Sequence, residues 1–139
     1  MTASETEFET PPFETMLVDL LGRGIAVRFA ASGDSMHPSI RNGEHVHVSP
    51  LASRPLRAGD VVLAQAARGI TAHRIVRIAR GAVITRGDNS RHRDAPVPHQ
   101  SILGRITHVE RDGATVAVPT VRHVRRALHS LSQLIRSLL

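Results

Sequence analysis

Residues 60–86 read DVVLAQAARGITAHRIVRIARGAVITR, and this stretch decides the fold. Three apolar runs rich in Val, Ile and Ala are separated there by Arg68-Gly69 and Arg80-Gly81. β-Branched residues favour extended backbone, and a glycine between two such runs is a turn signal. The stretch therefore predicts three consecutive β-strands. Their predicted bounds are Asp60–Ala67, Ile70–Ile78 and Ala82–Arg86.

The same pattern of short apolar runs and turn signals continues on both sides of this stretch. Further turns are predicted at Asn42-Gly43 and Asp112-Gly113, and residues 89–99 are predicted to form a polar, proline-containing loop. A short helix over Phe13–Leu21, closed by Gly22, is predicted before the first strand. The remaining strands are predicted at Ile25–Phe29, Glu44–Val48, Ile102–Glu110 and Ala114–Val118. The fold is therefore predicted to be mainly β, with one short N-terminal helix.

The composition excludes several kinds of chemistry. The 139 residues include no cysteine and no lysine, and all 18 Lys-or-Arg positions are arginine. Thiol nucleophiles, disulfides, cysteine-ligated metals and lysine bases are therefore excluded. The formal net charge of +6 would suit phosphate or an anionic membrane, but aromatic residues make up only 2%. A stacking platform for nucleic acid is disfavoured for that reason, and no cofactor is predicted.

The two ends of the chain differ in composition from the β domain, which we place at residues 13–119. Residues 1–12 are acidic and contain prolines, which predicts a disordered tail. Residues 120–139 predict a basic amphipathic helix that packs on the domain or a partner protein, or lies on an anionic membrane surface. No apolar window is long enough to span a membrane, so the chain is predicted to be soluble and cytoplasmic, or at most membrane-peripheral.

A serine in a turn is the first candidate for chemistry. In the sequence SGDSMHPSI, Gly33 comes just before Ser35 and relaxes the backbone, so that the turn can expose the serine hydroxyl. That hydroxyl needs a base to take its proton, and imidazole has the pKa best matched to neutrality. His73 lies within a predicted strand that would hold its ring rigidly. Asp88 or Asp94, on the loop that follows, could fix the tautomer of that ring.

Single residues of these types occur in most proteins, but their order along the chain is more specific. SGDSMHPSI at residues 32–40 and NGEHV at residues 42–46 resemble the nucleophile box of the type I signal peptidases and the LexA-type peptidase domains, the S24/S26 group. GDVV at residues 59–62 resembles the start of their next strand. The resemblance spans about residues 25–110. It implies their complex β-fold and a serine endopeptidase that cleaves a peptide or protein, with Ser35 as nucleophile.

The resemblance also distinguishes two kinds of catalytic base. Bacterial signal peptidases and LexA-type domains carry a lysine in the second segment, whereas archaeal and endoplasmic-reticulum signal peptidases carry a histidine. AHRI at residues 72–75 is similar to the histidine kind, which implies His73 as general base. That kind also has a Gly-Asp-Asn segment with a second aspartate six residues after the first, and GDNS at residues 87–90 with Asp94 matches it. By this resemblance Asp94 is the triad acid and Asp88 a structural or supporting carboxylate.

Four residues are candidate supporting residues: Asp88, Gly33, Met36 and Ser32. Gly33 frees the backbone before Ser35, and Met36 would fill an apolar slot beside this nucleophile. Ser32 lies near the position of the family's oxyanion donor. The box here has one residue more than the shorter Ser-Gly-Ser-Met form, which leaves that assignment of Ser32 open.

Other interpretations of the sequence lead to different functions. His45 and His47 would share one face of a strand and could supply half of a metal site, but no carboxylate partner is evident, so no metal is predicted. The same fold could carry a non-catalytic peptide-binding or scaffold module that recruits a partner through its groove and basic C-terminal helix. A regulatory domain that works with a DNA-binding partner is suggested by the charge alone.

Overall fold

The predicted strands form one curled antiparallel sheet beside a short helix. A computed structural model describes residues 12–52 and 54–119. Its elements are α1 (Phe13–Gly22), β1 (Val27–Ala30), β2 (His45–Pro50), β3 (Val61–Ala66), β4 (Gly69–Ala79), β5 (Ala82–Arg86), β6 (Val97–Pro98), a 3₁₀ turn (His99–Ser101), β7 (Ile102–Arg111) and β8 (Ala114–Ala117). The strands lie in the order β1-β2-β7-β3-β4-β5-β6, and β8 pairs with β7. The predicted mainly β fold is confirmed.

The stretch that decides the fold forms β3, β4 and β5, three neighbours in the sheet. Gly69 begins β4 directly after a two-residue turn and has a φ of 117°, which a side chain would disfavour. Arg80 and Gly81 make the next turn with φ angles of 47° and 78°. Two successive positive φ angles are typical of the tight turns that match the twist of a hairpin. The turn signals Arg68-Gly69 and Arg80-Gly81 therefore fall at the two hairpins, as predicted.

The core lies on both faces of β3, whose first four residues are all buried. Alternate residues of a strand point to opposite faces of the sheet, so Val61 and Leu63 belong to one apolar cluster while Val62 and Ala64 belong to another. The first cluster consists of Leu17, Leu21, Met36, Ile40, Val46, Val48, Val61, Leu63, Ile106 and Val109. The second consists of Leu56, Val62, Ala64, Ile75, Val83 and Ile102. Met36 is the one side chain in them other than Val, Ile, Leu and Ala.

Helix α1 covers the first cluster with Leu17 and Leu21, which are buried on the side of the helix that faces the sheet. The helix ends slightly later than predicted. Gly22 is its last residue, and the positive φ that turns the chain away lies at Gly24, at 79°. A glycine two residues farther on supplies this backbone conformation, because it has no Cβ to oppose it.

The structure differs from the predicted elements mainly around β6. Val97 pairs with Val83 inside the segment 89–99 that was predicted to be loop. The pairing covers two residues, one of them a proline, and so short a run carries no strand pattern. Ile25, predicted to be inside the first strand, lies before β1 and is 46% exposed. The bounds of the other strands move by at most two residues, which is the usual uncertainty of element ends.

Two predictions concern residues outside those described. The acidic tail, predicted for residues 1–12, falls outside them except for its last residue, and the basic amphipathic helix predicted for residues 120–139 falls outside them entirely. Of the helices in the described part of the chain, none combines the length and the apolar character needed to cross a membrane.

Candidate active site

The turn between β1 and β2 presents Ser35 to solvent. Gly33 has a φ of 91°, and its N–H donates to Asn42 Oδ1 at 2.9 Å, which fixes the start of the turn. Met36 and Ile40 are 4% and 3% exposed and anchor the turn in the first apolar cluster. Ser35 itself is exposed. The turn thus holds Ser35 at the surface, while Met36 is buried beside it in the first apolar cluster.

His73 lies on β4 and connects the serine to a carboxylate. Its side chain is 12% exposed, and Nε2 lies 3.0 Å from Ser35 Oγ. On the other side of the ring, Nδ1 lies 2.5 Å from Asp94 Oδ2. A carboxylate at Nδ1 favours the tautomer with its proton on that nitrogen, which leaves the Nε2 lone pair for the serine hydroxyl. The structure thus brings Ser35, His73 and Asp94 together in the order that a hydroxyl, base and orienting acid need.

Thr85 positions the carboxylate and was not predicted. Its hydroxyl donates to Asp94 Oδ2 at 2.7 Å, and the Asp94 N–H donates to the Thr85 carbonyl at 2.8 Å. Thr85 is 3% exposed, on the same face of β5 as buried Val83. The signal in the sequence is a polar residue at an inward position of an alternating strand, because a buried hydroxyl needs a partner.

The loop after β5 is bound to the serine turn. The Asn89 N–H donates to the Ser35 carbonyl at 2.8 Å, and Asn89 Nδ2 donates to the Asp34 carbonyl at 3.1 Å. Gly87 leaves no room for a side chain, since a Cβ there would lie 2.5 Å from the main-chain carbonyl oxygen of Ser35 and 3.2 Å from His73 Nε2. These contacts fix the serine turn against the segment that carries the carboxylate.

Asp88 lies on the same loop but does not contact the histidine ring. Its carboxylate accepts two bonds from Arg74, each of 2.8 Å, and one from Ser39 Oγ at 2.7 Å. Burial would by itself raise the pKa of Asp88, but the hydrogen bonds from Arg74 and Ser39 outweigh it and the pKa lies below its ordinary value. The Asp94 carboxylate thus contacts the His73 ring, whereas Asp88 forms an ion pair with Arg74. Through Ser39, this ion pair links β4 to the serine turn.

A small cavity beside the serine is formed by the turn that follows β1 and by the first half of β4. Its volume is about 150 Å³. Its lining residues are Ala31, Ser32, Gly33, Ser35, Met36, Ile40, Ile70, Thr71, Ala72 and His73. Ser32 therefore lines the same cavity as Ser35 and His73. Within the described residues the Ser35 N–H makes no hydrogen bond, so this donor is available to an oxyanion next to Oγ.

An ion pair from β7 supports the far side of the serine turn. Arg111 donates to both oxygens of Glu44, at 2.7 and 2.8 Å, and to the carbonyls of Pro38 and Ser39 at 3.2 and 3.4 Å. The hydrogen bond from Arg111 lowers the pKa of Glu44 to about 2, against an ordinary value of 4.5. Glu44 therefore has a structural partner in Arg111.

This ion pair makes part of the stability depend on pH. A carboxyl whose pKa is lower in the folded than in the unfolded chain stabilises the fold above its unfolded pKa, and that contribution is lost as the pH falls towards the folded pKa. We expect the urea midpoint of the wild type to exceed that of Glu44→Gln at neutral pH. The difference should shrink between about pH 4.5 and pH 2. Far-ultraviolet circular dichroism measures both midpoints, and a difference that stays constant over this window would contradict the prediction.

The histidines on β2 have a carboxylate nearby that the sequence did not reveal. His47 Nε2 lies 3.3 Å from Glu110 Oε1, and His45 Nδ1 lies 3.9 Å from Glu110 Oε2. Arg28 already binds both oxygens of this carboxylate and, as the main cause, lowers the pKa of Glu110 to about 2. No group of three His, Asp or Glu side chains within residues 12–52 and 54–119 is placed to hold a metal ion. His45 and His47 thus lie beside the ion pair between Arg28 and Glu110 on the sheet.

The comparisons with known proteins identify the family of the chain. A family model described as Peptidase S24-like matches residues 13–107, which include the serine turn, the histidine strand and the carboxylate loop. No curated protein matches the chain.

Proposed function

The chain belongs to the peptidase S24-like family, and from that premise we propose that it is a serine endopeptidase with a Ser-His-Asp triad, formed by Ser35, His73 and Asp94. The observation that carries the proposal is the pair of contacts made by the His73 ring, 3.0 Å to Ser35 Oγ and 2.5 Å to Asp94 Oδ2. Both lie within the hydrogen-bonding distance that proton transfer requires.

The proposed reaction moves one proton through the histidine ring. Ser35 Oγ bonds to the scissile carbonyl carbon while its proton passes to His73 Nε2. The imidazolium, balanced by the Asp94 carboxylate, then gives this proton to the leaving nitrogen, the C–N bond breaks, and an acyl-enzyme remains. Water repeats the sequence and releases the second product and the free serine. The unoccupied Ser35 N–H would donate to the oxyanion of each tetrahedral intermediate.

A histidine base follows from the residues that surround the serine. The chain contains no lysine, and His73 is the base that reaches Ser35. We therefore propose that the chain uses a histidine base, like the archaeal and endoplasmic-reticulum signal peptidases that it resembles, and not a lysine base. Because Asp88 is bound by Arg74 and Ser39, its proposed function is to hold the loop in place.

The proposed substrate is an extended peptide with small side chains next to the cut. On the side facing the cavity, no strand of the described part of the chain pairs with β4 before Arg74, where its pairing with β5 begins. A peptide can bind such an edge through its main chain. The cavity of about 150 Å³ beside Ser35 limits the side chain that can enter. Together these features support processing of a precursor or leader peptide.

A serine-directed phosphonate probe tests this proposal, because it reacts only with an activated hydroxyl. We expect the probe to modify the wild type at Ser35, and to modify Ser35→Ala and His73→Gln at least about 100-fold more slowly. Ser101→Ala is the control for loss of a serine hydroxyl, since Ser101 lies in the 3₁₀ turn and outside the lining of the cavity, and it should react like the wild type. Peptide binding by a wild type that the probe does not modify would indicate a non-catalytic module.

A further inference from the structure

The edge of β4 next to the cavity has two sets of outward-facing main-chain groups. Ile70 pairs with Gln65 of β3, yet the Ile70 N–H donates to the side chain of Glu14, at 3.3 Å. Ile70 therefore directs its main-chain groups away from β3. Because this direction alternates along an antiparallel strand, Ala72 does the same. The Ala72 groups have no hydrogen-bond partner among the described residues.

The acceptor at Ile70 comes from a distant part of the chain. Glu14 lies in the first turn of α1 and is exposed, and its Oε1 reaches across to the start of β4. Gly69 makes room for this approach, since a Cβ at Gly69 would lie 2.7 Å from that oxygen. The carboxylate thus closes the edge of β4 at the end farther from His73.

We propose that Glu14 is a specificity-determining residue that limits how far a peptide pairs along β4. This inference rests on the proposed function, since it takes the β4 edge as the place where the substrate binds. Ala72 adjoins His73, and Ile70 lies two residues, or about 7 Å, farther along the strand. A short peptide bonds only to Ala72. A longer peptide must replace the Glu14 carboxylate with one of its own carbonyl oxygens at the Ile70 N–H.

The competition predicts an effect that depends on peptide length. The contact is long and exposed, so its loss should change affinity modestly, as exposed interactions of charged groups usually do. We expect Glu14→Ala to lower KM for long peptides by about three- to tenfold and to leave KM for the shortest peptide unchanged. Glu14→Gln keeps a neutral acceptor at the same place, so it should fall between the wild type and Glu14→Ala.

The experiment uses acetylated Val-Ala repeat peptides that carry a C-terminal aminocoumarin amide and have one to four repeats. The fluorescent amide fixes the cut at one end, so added repeats extend the peptide only on the acyl side. Asp19→Ala is the control variant, because it removes an exposed carboxylate from the same helix, where Asp19 pairs only with Arg23. A second measurement needs no turnover. It compares the affinity of the same peptides for Ser35→Ala and for Ser35→Ala combined with Glu14→Ala, determined by fluorescence anisotropy.

The outcomes separate the two proposals. A length-dependent gain in affinity for Glu14→Ala, absent in Asp19→Ala, supports the competition at Ile70. Cleavage by all variants with the same dependence of KM on length overturns the inference about Glu14 and leaves the proposed function standing. If the wild type neither cleaves these peptides nor reacts with the phosphonate probe, the proposed function fails, and this inference fails with it.

Discussion

Replacement of Ser35 by alanine should lower kcat for peptide cleavage by about 10⁴- to 10⁶-fold, the loss that serine peptidases suffer without their nucleophile. Ser35 is exposed, and the side-chain contact that it makes is to His73 Nε2. The main-chain bond from Asn89 to the Ser35 carbonyl does not involve the side chain, so the turn should keep its conformation. The variant should therefore unfold at the same urea concentration as the wild type.

His73→Ala should cause a loss of the same order, because nucleophile and base act as one unit and their effects do not add. The double variant should then be no slower than either single variant. Single-turnover cleavage and urea unfolding by circular dichroism measure the two effects separately. A Ser35→Ala protein that retains near-wild-type cleavage, after removal of contaminating proteases, would eliminate the proposed mechanism.

Asp94→Asn should lower kcat by about 10⁴-fold while leaving stability almost unchanged. The new amide can donate to Nδ1 of His73 and so favours the tautomer with its proton on Nε2. That nitrogen then cannot accept the proton of Ser35. Thr85 Oγ1 contacts the same side-chain atom as His73 Nδ1, so the amide nitrogen that replaces it can donate to Thr85 as well, and the main-chain bond from residue 94 to the Thr85 carbonyl remains. Both bonds keep the loop in place.

The control is Asp88→Asn, which makes the same chemical change on the same loop. Asp88 neutralises Arg74, whose side chain is only 5% exposed, so removing the charge should cost about 3–5 kcal/mol of stability. Its effect on kcat, measured where the protein stays folded, should be much smaller than that of Asp94→Asn. Equal losses of activity in the two variants, or a larger loss for Asp88→Asn, would contradict the assignment of Asp94 as the carboxylate that orients His73.

The local sequence was sufficient for most of the strands, and it singled out Ser35 and His73, which the structure brings within 3.0 Å of each other. Alternating apolar residues and glycine turns predicted β3, β4 and β5 within two residues, because a strand pattern and a turn are properties of short segments. The choice between Asp88 and Asp94 was different. Both lie on one polar loop, and the residues alone left the choice open. The family resemblance favoured Asp94, and the structure places it on the His73 ring.

The partners that position the site could not be predicted from local patterns. Thr85 could be assigned an inward direction, but not a bond to Asp94, since the path of the loop depends on Gly87 and on contacts with the serine turn. The bond from Ile70 to Glu14 joins residues 56 positions apart. Such a contact depends on how the helix packs against the sheet, which no short segment of the sequence determines.

The distribution of the site over the chain also affects when the protein can act during its synthesis. Ser35, His73 and Asp94 come from a turn, a strand and a later loop, and that loop follows β5, which is paired with β4. A nascent chain that has exposed only Ser35 outside the ribosome carries an unactivated alcohol. Under the proposed function, reactivity towards neighbouring proteins therefore requires that the segment through Asp94 has been synthesised and has folded against the serine turn.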